Sequence, residues 1–244
     1  MSRVLVYTVS RASTTAQVKR ALDSLNLARQ TAGHDHDWIL WCNSPQIAAA
    51  STWGWVDGQV WNKSGENKGQ HIALAEVLTY ARAQGYNYIL KVDDDLNWQT
   101  KRWLRKLVDT AETVFKFSGK HPLLAPRVKG LKNPIPIAAK IKLKGIPLYV
   151  VPIVGGACRL HHISFFDGYV PDCRRALGAG GDTTIAQHAE ATQIPVFIAH
   201  WVSVRHDTAK MEAADPAWAK LHAVFQAIPY IPAWRPDETQ SQAS

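Results

Sequence analysis

Apolar positions along this chain alternate between short unbroken runs and sparse sets at helical spacing. Val4 to Val9 is an apolar, β-prone run that predicts a buried strand, and Ser10 to Thr15 supplies loop and cap residues after it. Val18, Ala21, Leu22, Leu25 and Ala28 fall three and four apart, one face of a helix that ends near Gly33. The alternation then repeats. Trp38 to Cys42 reads as a strand closed by Asn43-Ser44-Pro45, and Gly65 to Gly69 as a polar loop. Ile72, Ala75, Leu78, Tyr80 and Ala81 fit a helix stopped by Gly85, and Tyr88 to Val92 is the next strand. Trp103, Leu104, Leu107, Val108, Ala111, Val114 and Phe115 mark a further amphipathic helix, and Leu123 to Pro126 a short strand.

This strand-helix-strand order implies an α/β fold: a mostly parallel, Rossmann-like central sheet flanked by helices, with ligands beyond the carboxyl ends of its strands. The pattern loosens after residue 126. Asn133-Pro134-Ile135-Pro136 leads into Lys140-Ile141-Lys142-Leu143-Lys144, an edge strand or ribbon whose lysines also discourage aggregation. Ile146 to Val154 reads as a strand running into Gly155-Gly156-Ala157-Cys158-Arg159. Asp182 precedes a helix over Thr183 to Ala191 as a cap would, and Pro195 to Val204 is a strand ending at Arg205-His206-Asp207. Asp215-Pro216 opens a helix with Trp218, Leu221, His222 and Phe225 on its apolar side. One domain over 1–235 is expected, with halves at about 1–117 and 118–235 and a flexible tail at 236–244.

Composition narrows the classes. With 46% hydrophobic residues and both signs of charge mixed, the 244-residue chain is neither disordered nor fibrous. It has no apolar run long enough to span a bilayer and no signal-peptide pattern, so a cytoplasmic location is expected. Cys42, Cys158 and Cys173 are odd in number and widely spaced, which argues for reduced thiols. His34-x-His36 and His161-His162 lack companion pairs at zinc-ligand spacing. The net charge of +8 suggests an anionic partner, and no acidic residue occurs between Glu112 and Asp167. That stretch, with its lysines, Arg127 and Arg159, reads as a basic surface.

The chemistry concentrates at Asp93-Asp94-Asp95, directly after the apolar run Tyr88 to Val92. Three adjacent carboxylates repel one another and suit a strand end poorly unless a cation or a set of N–H donors neutralises them. Hard oxygen ligands favour Mg²⁺ or Mn²⁺. A solvated acidic turn is the alternative.

Taken in order, these pieces resemble the GT-A glycosyltransferases, especially their family 2-like branch, up to about residue 210. Asp93-Asp94-Asp95 is similar to the D-x-D signature at a strand end, and Asn67-Lys68-Gly69 to the N-x-G turn that opens the preceding helix. Gly155-Gly156, Asp182 and His206 follow in the order of a Gly-Gly segment beneath the acceptor, an acidic residue opening a helix, and a metal-binding His. The resemblance implies a nucleotide-sugar donor, a UDP-sugar first of all, bound through Mn²⁺ or Mg²⁺. Asp95 would ligate the ion directly, Asp93 would hold the ribose or a metal-bound water, Asp94 is available for either, and His206 would complete the metal shell. Asp182 would be the general base of an inverting displacement, although a helix cap also explains it, and in the family an acidic residue often precedes the base where this chain has Gly181.

Donor contacts are expected at Thr8, Ser10, Arg11, Asn67, Lys68 and Gly69, where a polar loop on a helix start is an equal explanation. The acceptor side would use a smaller subregion with Gly155, Gly156, His162, Lys129, Lys132 and Lys142. Hydroxymethylated bases in DNA, which some phage-encoded glycosyltransferases modify, suit the acid-free basic stretch; lipid-linked glycans are the alternative acceptor. A non-catalytic nucleic-acid-binding module is the competing class. Trp53, Trp55 and Trp61 fit either core filling or stacking on a sugar or base.

Overall fold

The computed structural model describes residues 2–54, 58–131, 135–169 and 181–206, within one compact unit, Met1–Thr208. Trp55, Lys132, Cys173, Asp207, the helix expected around Trp218 to Phe225 and the tail at 236–244 lie outside the described residues, as do the side chains of Trp53 and Asp182.

The chain begins with β1 (Val4–Ser10), α1 (Thr15–Thr31) and β2 (His36–Cys42). Thr14 caps α1 through a reciprocal box: its hydroxyl accepts from Gln17 N, and the Gln17 side chain accepts from Thr14 N. Next come α2 (Pro45–Gly54), β3 (Gln59–Trp61), α3 (Gly69–Ala83) and β4 (Tyr88–Val92). The Asn43-Ser44-Pro45 signal starts α2 as well as ending β2. Ser44 Oγ accepts from Ile47 N at 3.3 Å, and proline takes the first helical position, where its missing N–H costs nothing.

The second half runs β5 (Asn97–Trp98), α4 (Trp103–Ser118), β6 (Leu123–Lys129), β7 (Ala139–Leu143), β8 (Ile146–Val150), β9 (Cys158–His162), a short 3₁₀ turn at Ile163–Phe166, α5 (Gly181–Ala191) and β10 (Val196–Arg205). The strand expected from Ile146 to Val154 therefore ends at Val150, and Cys158–His162 is a separate strand. Pro152 has no N–H to donate, and Gly155-Gly156 offers no side chain to pack, so the ladder breaks between them.

The strands form one sheet in the order β3-β2-β1-β4-β9-β6-β10-β8-β7, with β5 paired to β10. β1 is parallel to β2 and β4, β2 to β3, and β6 to β10. β9 lies antiparallel between β4 and β6, so β6 and β10 point the same way as β1 to β4. The sheet is mostly parallel in direction, and the carboxyl ends of β1, β2, β4, β6 and β10 share one rim.

Helices α1 and α4 cover one face around Leu25, Trp38, Leu90, Trp103 and Leu107, all with no or almost no exposure. On the other face Leu74 and Val77 of α3 and Ile185 of α5 pack over Leu5, Ile89 and Phe166. The lysine ribbon is β7, the last strand in the sheet order. Arg159 departs from the expected basic surface: it sits in β9 at 4% exposure.

At the amino end of β4, Tyr88 pairs with His162 of β9. His162 stacks on His121 at 3.6 Å between ring centroids, and His121 stacks on Phe115 at 3.9 Å. Burial, followed by the facing His121, holds the proton affinity of His162 down at about 4; burial lowers His121 as well. Both groups bind protons more weakly folded than unfolded. The stability they permit is thus complete above about pH 6.5 and lost as pH falls toward 4. His162 is half-buried, so screening limits its share to about 1–2 kcal/mol. The urea midpoint of the wild type is expected to fall between pH 7 and 4.5 more steeply than that of His162→Gln; parallel pH profiles would refute the assignment.

Candidate active site

Asp93, Asp94 and Asp95 leave the carboxyl end of β4, and a different element engages each of them. Lys91, inside the apolar strand and 4% exposed, donates from Nζ to Asp93 Oδ1 at 2.6 Å and to the Gly156 carbonyl at 2.6 Å. Asp93 N donates to Ala157 O at 2.8 Å, which ties the triplet to the Gly155-Gly156 segment. Ser10, at the end of β1, donates its hydroxyl to Asp94 Oδ2. Burial pushes the Asp93 carboxyl above the usual carboxylate range, against the pull of Lys91. Asp94 is pushed up to about 7, by burial first and then by the neighbouring Asp95 charge.

Asp95 meets His206, which is 111 positions away in sequence. The chain after the triplet turns back as β5 and pairs with the end of β10, Val204 opposite Trp98 and Arg205 opposite Asn97. Trp98 stacks on Trp103 at 3.7 Å, and His206 N donates to Lys129 O at 2.9 Å. These contacts place His206 Nε2 at 3.0 Å from Asp95 Oδ2. The second oxygen, Asp95 Oδ1, is buried and has no hydrogen-bond partner among the described residues.

A buried carboxylate oxygen left open beside an imidazole nitrogen is a donor set that suits Mn²⁺ or Mg²⁺. No three such side chains converge on one point among the described residues. The Asp95 and His206 pair would be the residues to hold such an ion, which would supply positive charge at this rim.

Other expected site residues divide by location. Ser10, Gly156 and Lys129 lie at this rim, as the contacts above show. Gly155 adjoins Gly156, and Arg11 is exposed just past Ser10. Asn67 accepts from Gly69 N at 3.2 Å, a local turn that opens α3, while Lys68 N donates to Asn43 Oδ1 at 3.4 Å beside the end of β2. Gly65 holds that loop close: at φ +70°, a Cβ there would lie 2.4 Å from Pro45 N.

Thr8 is a correction to the donor set. It is fully buried, and its hydroxyl accepts from Trp38 Nε1 at 3.3 Å, so it belongs to the core. His162 is a correction on the acceptor side, because it pairs with Tyr88 at the opposite end of β4. Lys142 is exposed on β7, at the sheet edge. Asp182 falls inside the first turn of α5 rather than before it. Ile185, one turn on, lines a small cavity with Tyr7, Gln70, His71, Leu74, Arg159 and Tyr169. Trp61 packs edge-to-face on Trp41 and Tyr80, a core role. Lys91 is the site residue that pattern reasoning missed; its signal was a charged residue inside an otherwise apolar strand run.

No protein-family model matches the chain, and no curated protein is similar to it in sequence. Solved structures are similar in shape. GalNAc-T7, crystallised with UDP, GalNAc and Mn²⁺, superposes with a TM-score of 0.59 at 11% identity, over 84% of this chain and 44% of that one. S. aureus TarS (1–349) gives a TM-score of 0.50 at 12% identity, over 82% of this chain and 60% of that one. The fold is GT-A. This chain spans about half the length of those two GT-A structures. No helix among the described residues is long and apolar enough to cross a membrane.

The crowding at the GT-A strand end has a measurable cost. Asp94→Asn keeps an acceptor for Ser10 and removes one of three adjacent charges, so it is expected to stabilise the protein by about 1–2 kcal/mol at pH 8 in chelator. Lys91→Met, which strands Asp93 without its buried cation, is expected to destabilise by about 3 kcal/mol. Urea unfolding checks both, and a stabilising Lys91→Met would refute the pairing.

Proposed function

We propose that this chain is a divalent-metal-dependent glycosyltransferase that moves a sugar from a nucleotide-sugar donor, a UDP-sugar first of all, to a hydroxyl acceptor. The observation that carries this is the Asp95 and His206 pair, with a buried carboxylate oxygen left open, at the carboxyl rim of a GT-A sheet. Asp95 and His206 would hold the ion, which would supply positive charge against the departing diphosphate.

This chain's own groups do the rest. Lys91 holds Asp93 in place and Ser10 holds Asp94, so both carboxylates are aimed before donor arrives. Asp93 would accept from the ribose hydroxyls, and Arg11, Lys68 and Gly69 would line the base and phosphates. Asp182, in the first turn of α5, would take the acceptor proton as the acceptor oxygen bonds the anomeric carbon and the bond to the diphosphate breaks, inverting that centre. The Gly155-Gly156 segment, held against Lys91, leaves room for the acceptor to approach. The acceptor we propose is a hydroxymethylated base in DNA, in keeping with the acid-free basic stretch between Glu112 and Asp167.

Incubation with Mn²⁺ and a panel of nucleotide sugars, with and without hydroxymethylated DNA, is expected to release nucleotide in a chelator-sensitive manner. Asp95→Asn and His206→Ala should each lower metal affinity or turnover by at least about 10- to 100-fold. Absence of nucleotide release with every donor and acceptor would sink the assignment.

A further inference from the structure

The acid-free stretch folds into something more specific than a basic surface. Along β6, Ala125 faces the α5 side of the sheet, and by strand alternation so do Arg127 and Lys129. Ile198 of β10 faces the same way and pairs with Tyr149 of β8, which pairs in turn with Lys140 of β7; Lys142 follows two residues on. Contacts confirm the shared face. Arg127 Nη1 donates to His200 Nε2 at 2.9 Å, His200 packs on Tyr149 at 4.6 Å, and Lys140 Nζ lies 5.8 Å from the Tyr149 ring centre. Burial and the nearby charges of Arg127, Lys140 and Lys129 lower the proton affinity of His200, so these cations act on one spot.

Arg127, Lys129, Lys140 and Lys142 are exposed, and none of them has a carboxylate partner among the described residues. Protection of a sheet edge accounts for the lysines of β7. It does not account for Arg127 and Lys129 on β6, an interior strand. The row also has a direction: its last member at the rim, Lys129, holds His206 N through its carbonyl.

We propose that this face of β6, β10, β8 and β7 is a track for the phosphate backbone of DNA, with Arg127, Lys129, Lys140 and Lys142 as its cations and the Asp95 and His206 rim as its destination. It rests on the glycosyltransferase reading for what happens at that rim. The three interstrand spacings span about 14 Å. Duplex DNA presents one phosphate per ~1.7 Å of axis, so each of the four cations can meet a phosphate. The Tyr149 and His200 rings, tilted by 47° to one another, add aromatic surface among these cations, and nucleic-acid grooves combine such rings with cations.

The test uses the full chain and a labelled 30-base-pair duplex, with affinity read by anisotropy between about 50 and 300 mM salt. Four contacts predict a slope of log K against log salt of about −3 to −4. The double variant Arg127→Gln, Lys140→Gln should bind about 10- to 100-fold more weakly near 100 mM salt, with the slope reduced by about 2. Its unfolding midpoint, equal to that of the wild type, would show that the loss is not misfolding; the single variant Lys142→Gln, with the slope reduced by about 1, replaces it if it fails to fold. An unchanged slope in the variants, or binding to phosphatidylserine vesicles in place of DNA, overturns the proposal. Manganese-dependent UDP binding by the wild type separates the two readings. UDP binding without DNA binding sinks the track alone, and DNA binding without UDP binding sinks the transferase while the track stands.

Discussion

Three carboxylates on consecutive residues cannot all sit at the end of a buried strand without help, and much of the rim is organised around that difficulty. Lys91 answers Asp93 from within the same strand, Ser10 answers Asp94 from β1, and His206 answers Asp95 from the end of β10. Each partner comes from a strand whose carboxyl end reaches the same rim. The neighbours of β4 in the sheet, and the β5 clasp that draws in β10, are what make a costly sequence tolerable.

The two ends of β4 are built to opposite purposes. At the amino end His162, His121 and Phe115 stack in a row, edge-on to Tyr88, and their imidazoles resist charging. At the carboxyl end charge is gathered and left incompletely answered, with Asp94 pushed up to about 7 and one oxygen of Asp95 open. Incompletely satisfied buried charge is costly to stability and concentrates at functional sites. The strand therefore carries packed rings at one end and concentrated charge at the other.

Resemblance to GalNAc-T7 and TarS at 11% and 12% identity carries the frame, not the substrate. Within that frame the charged face comes from the second half of this chain. The edge hairpin of β7 and β8 continues the sheet past β10 and turns a row of cations to one side. The Asp95 and His206 pair and the charged face meet at β6, whose last residue, Lys129, holds His206 through its carbonyl.

The local pattern by itself determined the strands β1, β2 and β4, the helices α1, α3 and α4, and the site's nucleus at Asp93 to Asp95, because strand runs, helical spacing and like-charge crowding are properties of adjacent residues. The family resemblance, not the local pattern, named Gly156 and His206, and the structure brings them into contact with Lys91 and Asp95 respectively. The local pattern missed α2, because Ser44-Pro45 signals a turn and a helix start alike, and it merged β8 with the segment that becomes β9. It assigned Thr8 to a ligand and His162 to an acceptor, although one lies under Trp38 and the other at the far end of the sheet. Only the tertiary structure decided which Asp meets which partner, that Lys91 and Arg159 are buried rather than solvated, and that the cations share a face. Those are matters of strand order and register between residues as many as 111 positions apart, and no local pattern contains them.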